Sequence, residues 1–462
     1  MALDSNSAVM SALEASSAPA VAETEDRRYQ SWGRYPRVVH RRVFGAYWRD
    51  QLPGILNGAE PASLLPFGLG RSYGDCCLND GRDLVDCSGL DRILQADWQS
   101  GRVRVEGGVS LAELLPVIVP RGWFLPVTPG TKFVTIGGAI ANDVHGKNHH
   151  RAGTFGCHVR QFLLQRSDAG AVMCSPTDEP EMFAATIGGM GLTGVIAWAD
   201  VQLTPVRSNA IEVDTVPFRG LQEFAAISQD SDSKYEYTVA WLDLLSGRRT
   251  QGLFFRGNHA EHGVSQPSGR SIAVPLDCPD FVLSKATIKL FNQAYYVAKS
   301  LAPRRAVSHY DPFFYPLDSV LQWNRIYGRR GMVQYQCVVP HAAAAAMEEM
   351  MARVGRSGHG CFLAVLKAFG NMPSPGLLSF PRPGLTLALD LPVRGERTLR
   401  LLNELDEILA AAGGALYPAK DARMSPATYE SSFPRWRELR EFIDPKCSSS
   451  LWRRVTGEEC RT

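Results

Sequence analysis

The sequence predicts a two-domain α+β protein, and three observations carry that prediction. The chain has 462 residues, and single cores stop growing at about 250–300 residues. Short strand-like runs, parted by turns of Gly, Pro and Asp, dominate from Ser63 to Thr204. From Arg207 to Ala412 the pattern changes to strands followed by long helices, which reads as helices packed on a sheet.

The first 25 or so residues, rich in Ala and Ser and ending acidic, read as a disordered tail over residues 1–27. They lack the basic start and apolar core of a signal peptide. Arg102–Gly107 and Val195–Leu203 alternate as half-buried strands do. Ser110–Trp123 reads as a helix capped by Ser110, with Glu113 closing a capping box. Glu181–Ile187 reads as a helix, and Gly189–Gly194 matches GxGxxG with Asp214 about 20 residues on. The residues after Gly194 alternate like a strand and do not open a helix, so the match is read as a tight turn. Met332–Val339 and Thr386–Leu391 read as strands, each ahead of a helix: Pro340–Val354 and Glu396–Ala412, the latter stopped by Gly413-Gly414.

Composition is that of an ordinary soluble protein, 45% hydrophobic and 21% charged. A net charge of +2 argues against a general nucleic-acid binder. The ten cysteines are scattered without a CxxC, which suits free thiols in a reducing compartment. No apolar run reaches the roughly 18 residues of a membrane span. The expected location is cytoplasmic, with peripheral contact at the inner membrane face left open. His149 and His150 are adjacent but have no acidic or cysteine partner, and no metal is expected.

Two segments are poor core material. Thr128–Gly156 (TPGTKFVTIGGAIANDVHGKNHHRAGTFG) and Pro66–Asp75 (PFGLGRSYGD) are rich in glycine, small residues and amides. Such backbone can approach anionic oxygens closely and converge N–H groups on them. Two anion cradles point to one large phosphate-bearing cofactor.

In order along the chain, SWGRYP, GLGRSYGD, HGKNHH, GGMGLTG, PLD, WNRIYG, QYQ and AKDAR resemble a flavoprotein of the vanillyl-alcohol oxidase (PCMH) type. Within that type, they are most similar to the flavin subunits of decaprenylphosphoryl-β-D-ribose 2′-epimerase. The resemblance implies an FAD-binding domain over 28–206, an antiparallel-sheet substrate domain over 207–412, and a segment over 413–462 returning to the active site. It implies a cofactor shell of Gly68, Leu69, Gly70, Arg71, Ser72, Tyr73 and Gly74 in the first loop and Thr135, Ile136, Gly137 and Gly138 in the second, whose N–H groups would surround the diphosphate. Gly130, Asn142, Asp143, Val144, His145, Ile196 and Tyr417 complete it. GLGRSYGD lacks the histidine that attaches FAD covalently in many relatives, so non-covalent FAD is expected.

Alcohol oxidation by a flavin needs a group to take or stabilise the hydroxyl proton. By resemblance that group is Lys420 of AKDAR, as base or as electrostatic stabiliser, with Tyr73 and His145 the other proton-handling candidates. Lys147, Lys367 and Arg325 are candidates for a substrate phosphate, Gln334 and Gln336 for sugar hydroxyls, and Tyr315 and Thr386 for further substrate contacts. Where the mycobacterial branch has a pocket cysteine, this chain has Ala388; Thr386 replaces an asparagine, and Phe314-Tyr315 a tyrosine–histidine pair.

The implied activity is FAD-dependent oxidation of the 2′-hydroxyl of a polyprenylphosphoryl-β-D-ribose to the 2′-keto sugar. A short-chain NAD(P)H-dependent reductase would be the partner that completes epimerisation to the arabinose donor. The alternatives are a soluble aldonolactone or alditol oxidase using oxygen, and a flavin-free carbohydrate-binding protein. Ser265–Arg330 mixes apolar, aromatic and basic residues and reads as a membrane-facing flap, or as a plain amphipathic helix over Ser284–Leu301.

Overall fold

The computed structural model describes residues 27–247, 249–264 and 271–457. The residues read as a tail lie outside these but for the last, as do 265–270 of the segment read as a flap.

Three sheets organise the chain. A parallel three-stranded sheet is ordered Arg42–Gly45, Asp83–Asp86, Leu64–Phe67. A five-stranded antiparallel sheet runs Ile93–Asp97, Arg102–Glu106, Val195–Gln202, Val159–Arg166, Gly170–Cys174. Against it packs the helix Leu111–Ile118, where Ser110 and Glu113 form the expected capping box. This helix is shorter than the sequence suggested. Pro120 lies in a tighter turn, Val119–Arg121, which Gly122 ends at φ +81°. The helix Pro180–Thr186 meets the strand Val195–Gln202 through a turn with Gly188, Gly191 and Gly194 at positive φ. The GxGxxG match is therefore a turn, and Asp214 pairs with Arg256 and Arg304.

An eight-stranded antiparallel sheet is ordered Arg305–His309, Ala210–Arg219, Gln251–His259, Tyr237–Asp243, Ala364–Phe369, Gly384–Pro392, Met332–Val339, Ala415–Leu416. Alternation gives its strands two characters. Tyr335, Cys337, Leu385, Leu387, Leu389 and Leu391 are buried in one core with Met347, Met350, Leu402 and Leu405 of the helices Ala344–Ser357 and Glu396–Ala411. Each such side chain contributes roughly 1.5–3 kcal/mol on burial, which makes the sheet a rigid plate. The intervening residues Gln334, Gln336, Val365, Lys367, Thr386, Ala388 and Asp390 lie on the other face.

After Leu416 the chain returns to the parallel sheet. Leu64 N–H donates to Lys446 O at 2.7 Å, and Ser448 N–H to Leu64 O at 2.8 Å. The helix Lys285–Leu301, capped by Ser284, buries Ile288 and Asn292, and Asn292 Nδ2 donates to Asp243 Oδ1 at 2.9 Å. Its opposite side leaves Leu290 and Leu301 73% and 82% exposed. Among the described residues no helix is long and apolar enough to cross a membrane.

Candidate active site

A cavity of about 530 Å³ opens where both glycine segments, the polar face of the large sheet and the turn Pro418–Lys420 meet. On its wall stand Gly68, Leu69, Gly70, Arg71, Ser72, Tyr73, Gly130, Thr135, Gly137, Gly138, Asn142, Val144, His145, Ile196 and Tyr417 from the expected cofactor shell. Gln334, Gln336, Lys367, Thr386 and Lys420 also line it.

The first loop fits a diphosphate. The N–H groups of Gly70, Arg71 and Ser72 meet no acceptor among the described residues. Arg71 stacks its guanidinium over Trp32 at 4.2 Å and Phe133 at 5.1 Å, and its buried Nε has no hydrogen-bond partner. Free amides beside a buried guanidinium form an anion site. A Cβ on Gly68 would lie 2.6 Å from Thr135 Oγ1, so the two loops close up only with glycine there. The second loop differs from the expectation. Ile136 and Gly137 N–H donate to Val109 O and Gly107 O, and Gly138 N–H to Thr135 Oγ1. Its amides hold the loop's own shape, and it offers FAD a close-fitting wall.

Lys420 lines the same cavity. Its Nζ lies 4.0 Å from the centroid of the Tyr73 ring, and Tyr73 N–H donates to Ala419 O at 2.9 Å, knitting loop and turn together. Burial pulls the Lys420 ammonium down and Asp390 pushes it back up. Burial holds the Tyr73 hydroxyl well above its ordinary value. His145 Nδ1 lies 3.1 Å from Lys367 Nζ and its Nε2 2.8 Å from Gln336 Nε2. Burial, and then Lys367, hold this imidazole well below its ordinary pKa, so it is neutral at physiological pH. Burial, with the charges of Lys147 and Lys420, brings Lys367 down to about 7.

Six expected residues are not on the wall. Ile136 is core, and a Cβ on Gly74 would collide with Asp421 O. Buried Asp143 accepts from Ser374 Oγ, Ser379 Oγ and Gly156 N–H. Lys147 Nζ donates to Phe314 O at 2.9 Å, and Arg325 Nη1 to Pro275 O at 2.6 Å. The Tyr315 hydroxyl is 2.7 Å from Thr128 Oγ1. Conversely, Leu321 lines the cavity without having been singled out, and Trp32, Asp318 and Trp323 line it though the sequence offered them only as parts of SWGRYP, PLD and WNRIYG. His149 packs on Phe369 at 4.4 Å, and His150 Nε2 meets Tyr235 O at 3.1 Å.

Residues 55–175 match the family described as FAD binding domain. The chain is 34% identical over 441 residues to decaprenylphosphoryl-beta-D-ribose oxidase of Mycolicibacterium smegmatis, covering 91% of this chain and 95% of that one. It is 28% identical over 134 residues to human Delta(24)-sterol reductase, covering 29% of this chain and 26% of that one. It is 29% identical over 140 residues to mouse L-gulonolactone oxidase, covering 30% and 31%.

Fold and site thus define an FAD-dependent oxidoreductase of the vanillyl-alcohol oxidase type. Within that class the chain belongs to the decaprenylphosphoryl-β-D-ribose oxidase family.

FAD is expected to be held without a covalent bond. No histidine stands in Gly68–Gly74, and burial pushes the nearby Cys76 thiol up to about 12, far from the thiolate that attachment requires. Acid precipitation should release all the flavin into the supernatant; a washed pellet that stays yellow contradicts this.

Proposed function

We propose that the protein oxidises the 2′-hydroxyl of a polyprenylphosphoryl-β-D-ribose to the 2′-keto sugar. The observation that carries the reading is Lys420 in one cavity with the linked row Gln336, His145 and Lys367. It combines a proton-handling amine, hydrogen-bonding groups for sugar hydroxyls, and a lysine whose charge an incoming phosphate would restore. Leu317, Val320, Leu321 and Trp323 give the cavity an apolar stretch suited to a lipid chain. The similarity to a relative named for this substrate supports the same reading.

When bound, FAD supplies the acceptor for the hydride leaving the sugar carbon. The protein's own part is to orient the sugar and manage one proton. Gln336 and His145 hold hydroxyls, and Lys420 meets the hydroxyl being oxidised. Burial lets Lys420 exist as an amine nearer neutral pH than a surface lysine does. The keto sugar then needs a hydride from a separate short-chain NAD(P)H-dependent reductase, which we propose as the partner.

We further propose peripheral binding at the inner membrane face. From Phe281 to His309 the chain has no acidic residue and carries Lys285, Lys289, Lys299, Arg304 and Arg305. Leu290, Val297 and Leu301 form an outward apolar row on the helix Lys285–Leu301. That combination suits an anionic lipid surface.

Anaerobic mixing with free ribose, ribose phosphate and a prenylphosphoryl ribose tests the substrate, and bleaching is expected only with the prenylated sugar. Equal bleaching by aldonolactones or alditols would favour the soluble sugar-oxidase alternative. Cosedimentation with anionic vesicles should be lost when Leu290, Val297 and Leu301 are changed to Ser. Wild-type protein that ignores such vesicles would remove the membrane contact.

A further inference from the structure

We propose that Lys367 is a positioning residue for the oxidation: through His145 it turns the Gln336 amide so that N–H groups, not the carbonyl, face the sugar. Lys367 and Gln336 stand on the strands Ala364–Phe369 and Met332–Val339, which flank Gly384–Pro392. His145, from the second glycine segment, bridges them, with Nδ1 3.1 Å from Lys367 Nζ and Nε2 2.8 Å from Gln336 Nε2. Both His145 and Gln336 are buried. Phe369 meets the imidazole edge-on at 4.8 Å and Tyr417 lies at 5.7 Å, so the ring is packed in place. Tyr417 N–H donates to Gln336 O at 2.9 Å, which fixes the Gln336 backbone. Gln336 lines the cavity, and the far end of its amide meets no partner among the described residues. That end is the one a sugar meets.

A neutral imidazole has one N–H and one lone pair, so the row has two consistent arrangements. With the proton on Nδ1, that N–H faces Lys367, and an ammonium has no lone pair to accept it. With Nδ1 bare, Lys367 donates to it, and Nε2–H donates to the Gln336 amide. A charged Lys367 permits only the second. The amide end beside Nε2 must then be the oxygen, which leaves the NH₂ at the cavity end. Thr386 Oγ1, 3.3 Å from the inner end, can donate as readily as accept and opposes neither arrangement. An N–H group meets a hydroxyl oxygen or a keto oxygen alike, so the site fits the sugar before and after oxidation. A carbonyl would fit only the hydroxyl. Both ring nitrogens of His145 are engaged, and its hold on a hydroxyl is exercised through Gln336. A phosphate arriving at Lys367 would keep it charged and the row locked. Only the activity arm of the test rests on the alcohol oxidation proposed above.

The test uses the FAD-loaded protein with ¹⁵N-labelled histidine, the His145 signals being assigned through His145→Asn. The charges that bear on Lys367 are Lys147 and Lys420, and with burial they bring it to about 7, so at pH 6 it is mostly ammonium. Two-bond proton–nitrogen spectra at pH 6 should show His145 protonated at Nε2 and bare at Nδ1. Lys367→Met should let the Nδ1–H form appear, and Lys367→Arg, which keeps a donor, should restore the wild-type pattern. In bleaching by a prenylphosphoryl ribose, kcat/KM should fall roughly tenfold in Lys367→Met, the weight of one hydrogen bond to a charged group, and recover in Lys367→Arg. Wild-type His145 protonated at Nδ1, or a pattern that Lys367→Met leaves unmoved, overturns the proposal. Should Lys367→Met not fold, the wild-type spectrum decides alone, because an Nδ1–H cannot face an ammonium. The expected tautomers with no bleaching by any pentose uphold the proposal and count against the substrate reading alone.

Discussion

Lys420→Ala is expected to bind FAD as wild type does and to reduce it about 10²–10⁴-fold more slowly, the usual weight of a positioned proton acceptor or electrostatic stabiliser. FAD should remain because its cradle is built elsewhere, from the free amides of Gly70–Ser72 and from Arg71. The turn should survive because Lys420 N–H and Ala419 O, which tie it to Tyr417 and Tyr73, belong to the backbone. The other two proton-handling candidates are poorly placed to substitute. Burial holds the Tyr73 hydroxyl above its ordinary range, so it gives up a proton reluctantly. His145 is held so far below its own range that it gains one reluctantly. Stopped-flow bleaching with full flavin occupancy checks the expectation; near-normal rates would hand the proton to one of these two.

Part of the site could be read from local sequence, and part only through the resemblance, which supplied Lys420, Gln334, Gln336 and Thr386. The glycine segments announce themselves by what they lack, apolar bulk. Gln334, Gln336 and Thr386 sit on alternating strands, so each strand's face is legible from its own residues. The same alternation in LTLALDLP puts Asp390 on the face of Thr386 and Ala388. What the single strand does not give is register, the fact that sets Asp390 against Gln334. Backbone hydrogen bonding was the other hidden quantity. Ile136 and Gly137 look like free donors in sequence, yet carbonyls of Val109 and Gly107 claim them. Lys147 and Arg325 have the charge a phosphate wants, but each is spent on a backbone carbonyl brought in from far along the chain. Trp32 and Trp323 pack together at 5.6 Å, a meeting that no local pattern foretells.

A second large effect is expected at Arg454, in the helix Ser450–Thr456, distant in sequence from both loops it serves. Its guanidinium grips Asp75 with two bonds, Nε to Oδ2 at 2.8 Å and Nη2 to Oδ1 at 2.7 Å. The same Nη2 reaches Asp421 Oδ2 at 3.0 Å, and Nη1 donates to Met424 O. Asp75 directly follows the first glycine loop and Asp421 directly follows Lys420, so one side chain clamps that loop to the turn that carries Lys420. Both acids are buried, and removing their shared cation leaves two uncompensated carboxylates. Breaking a buried pair from one side costs about 3–5 kcal/mol, so Arg454→Met should lower the denaturation midpoint markedly, with or without FAD. Arg454→Lys keeps the charge but loses the fork, and should fall between the two. The pH dependence has a definite sign. Burial already raises the Asp75 carboxyl, and without Arg454 it rises further. A carboxyl raised on folding makes the folded state bind more protons than the unfolded one, so stability falls as pH climbs past the unfolded value of about 3.9. The deficit of Arg454→Met should therefore be smaller at pH 5 than at pH 8. A variant that melts with wild type at both pH values, and holds FAD as tightly, would show that the loops keep their places without the clamp.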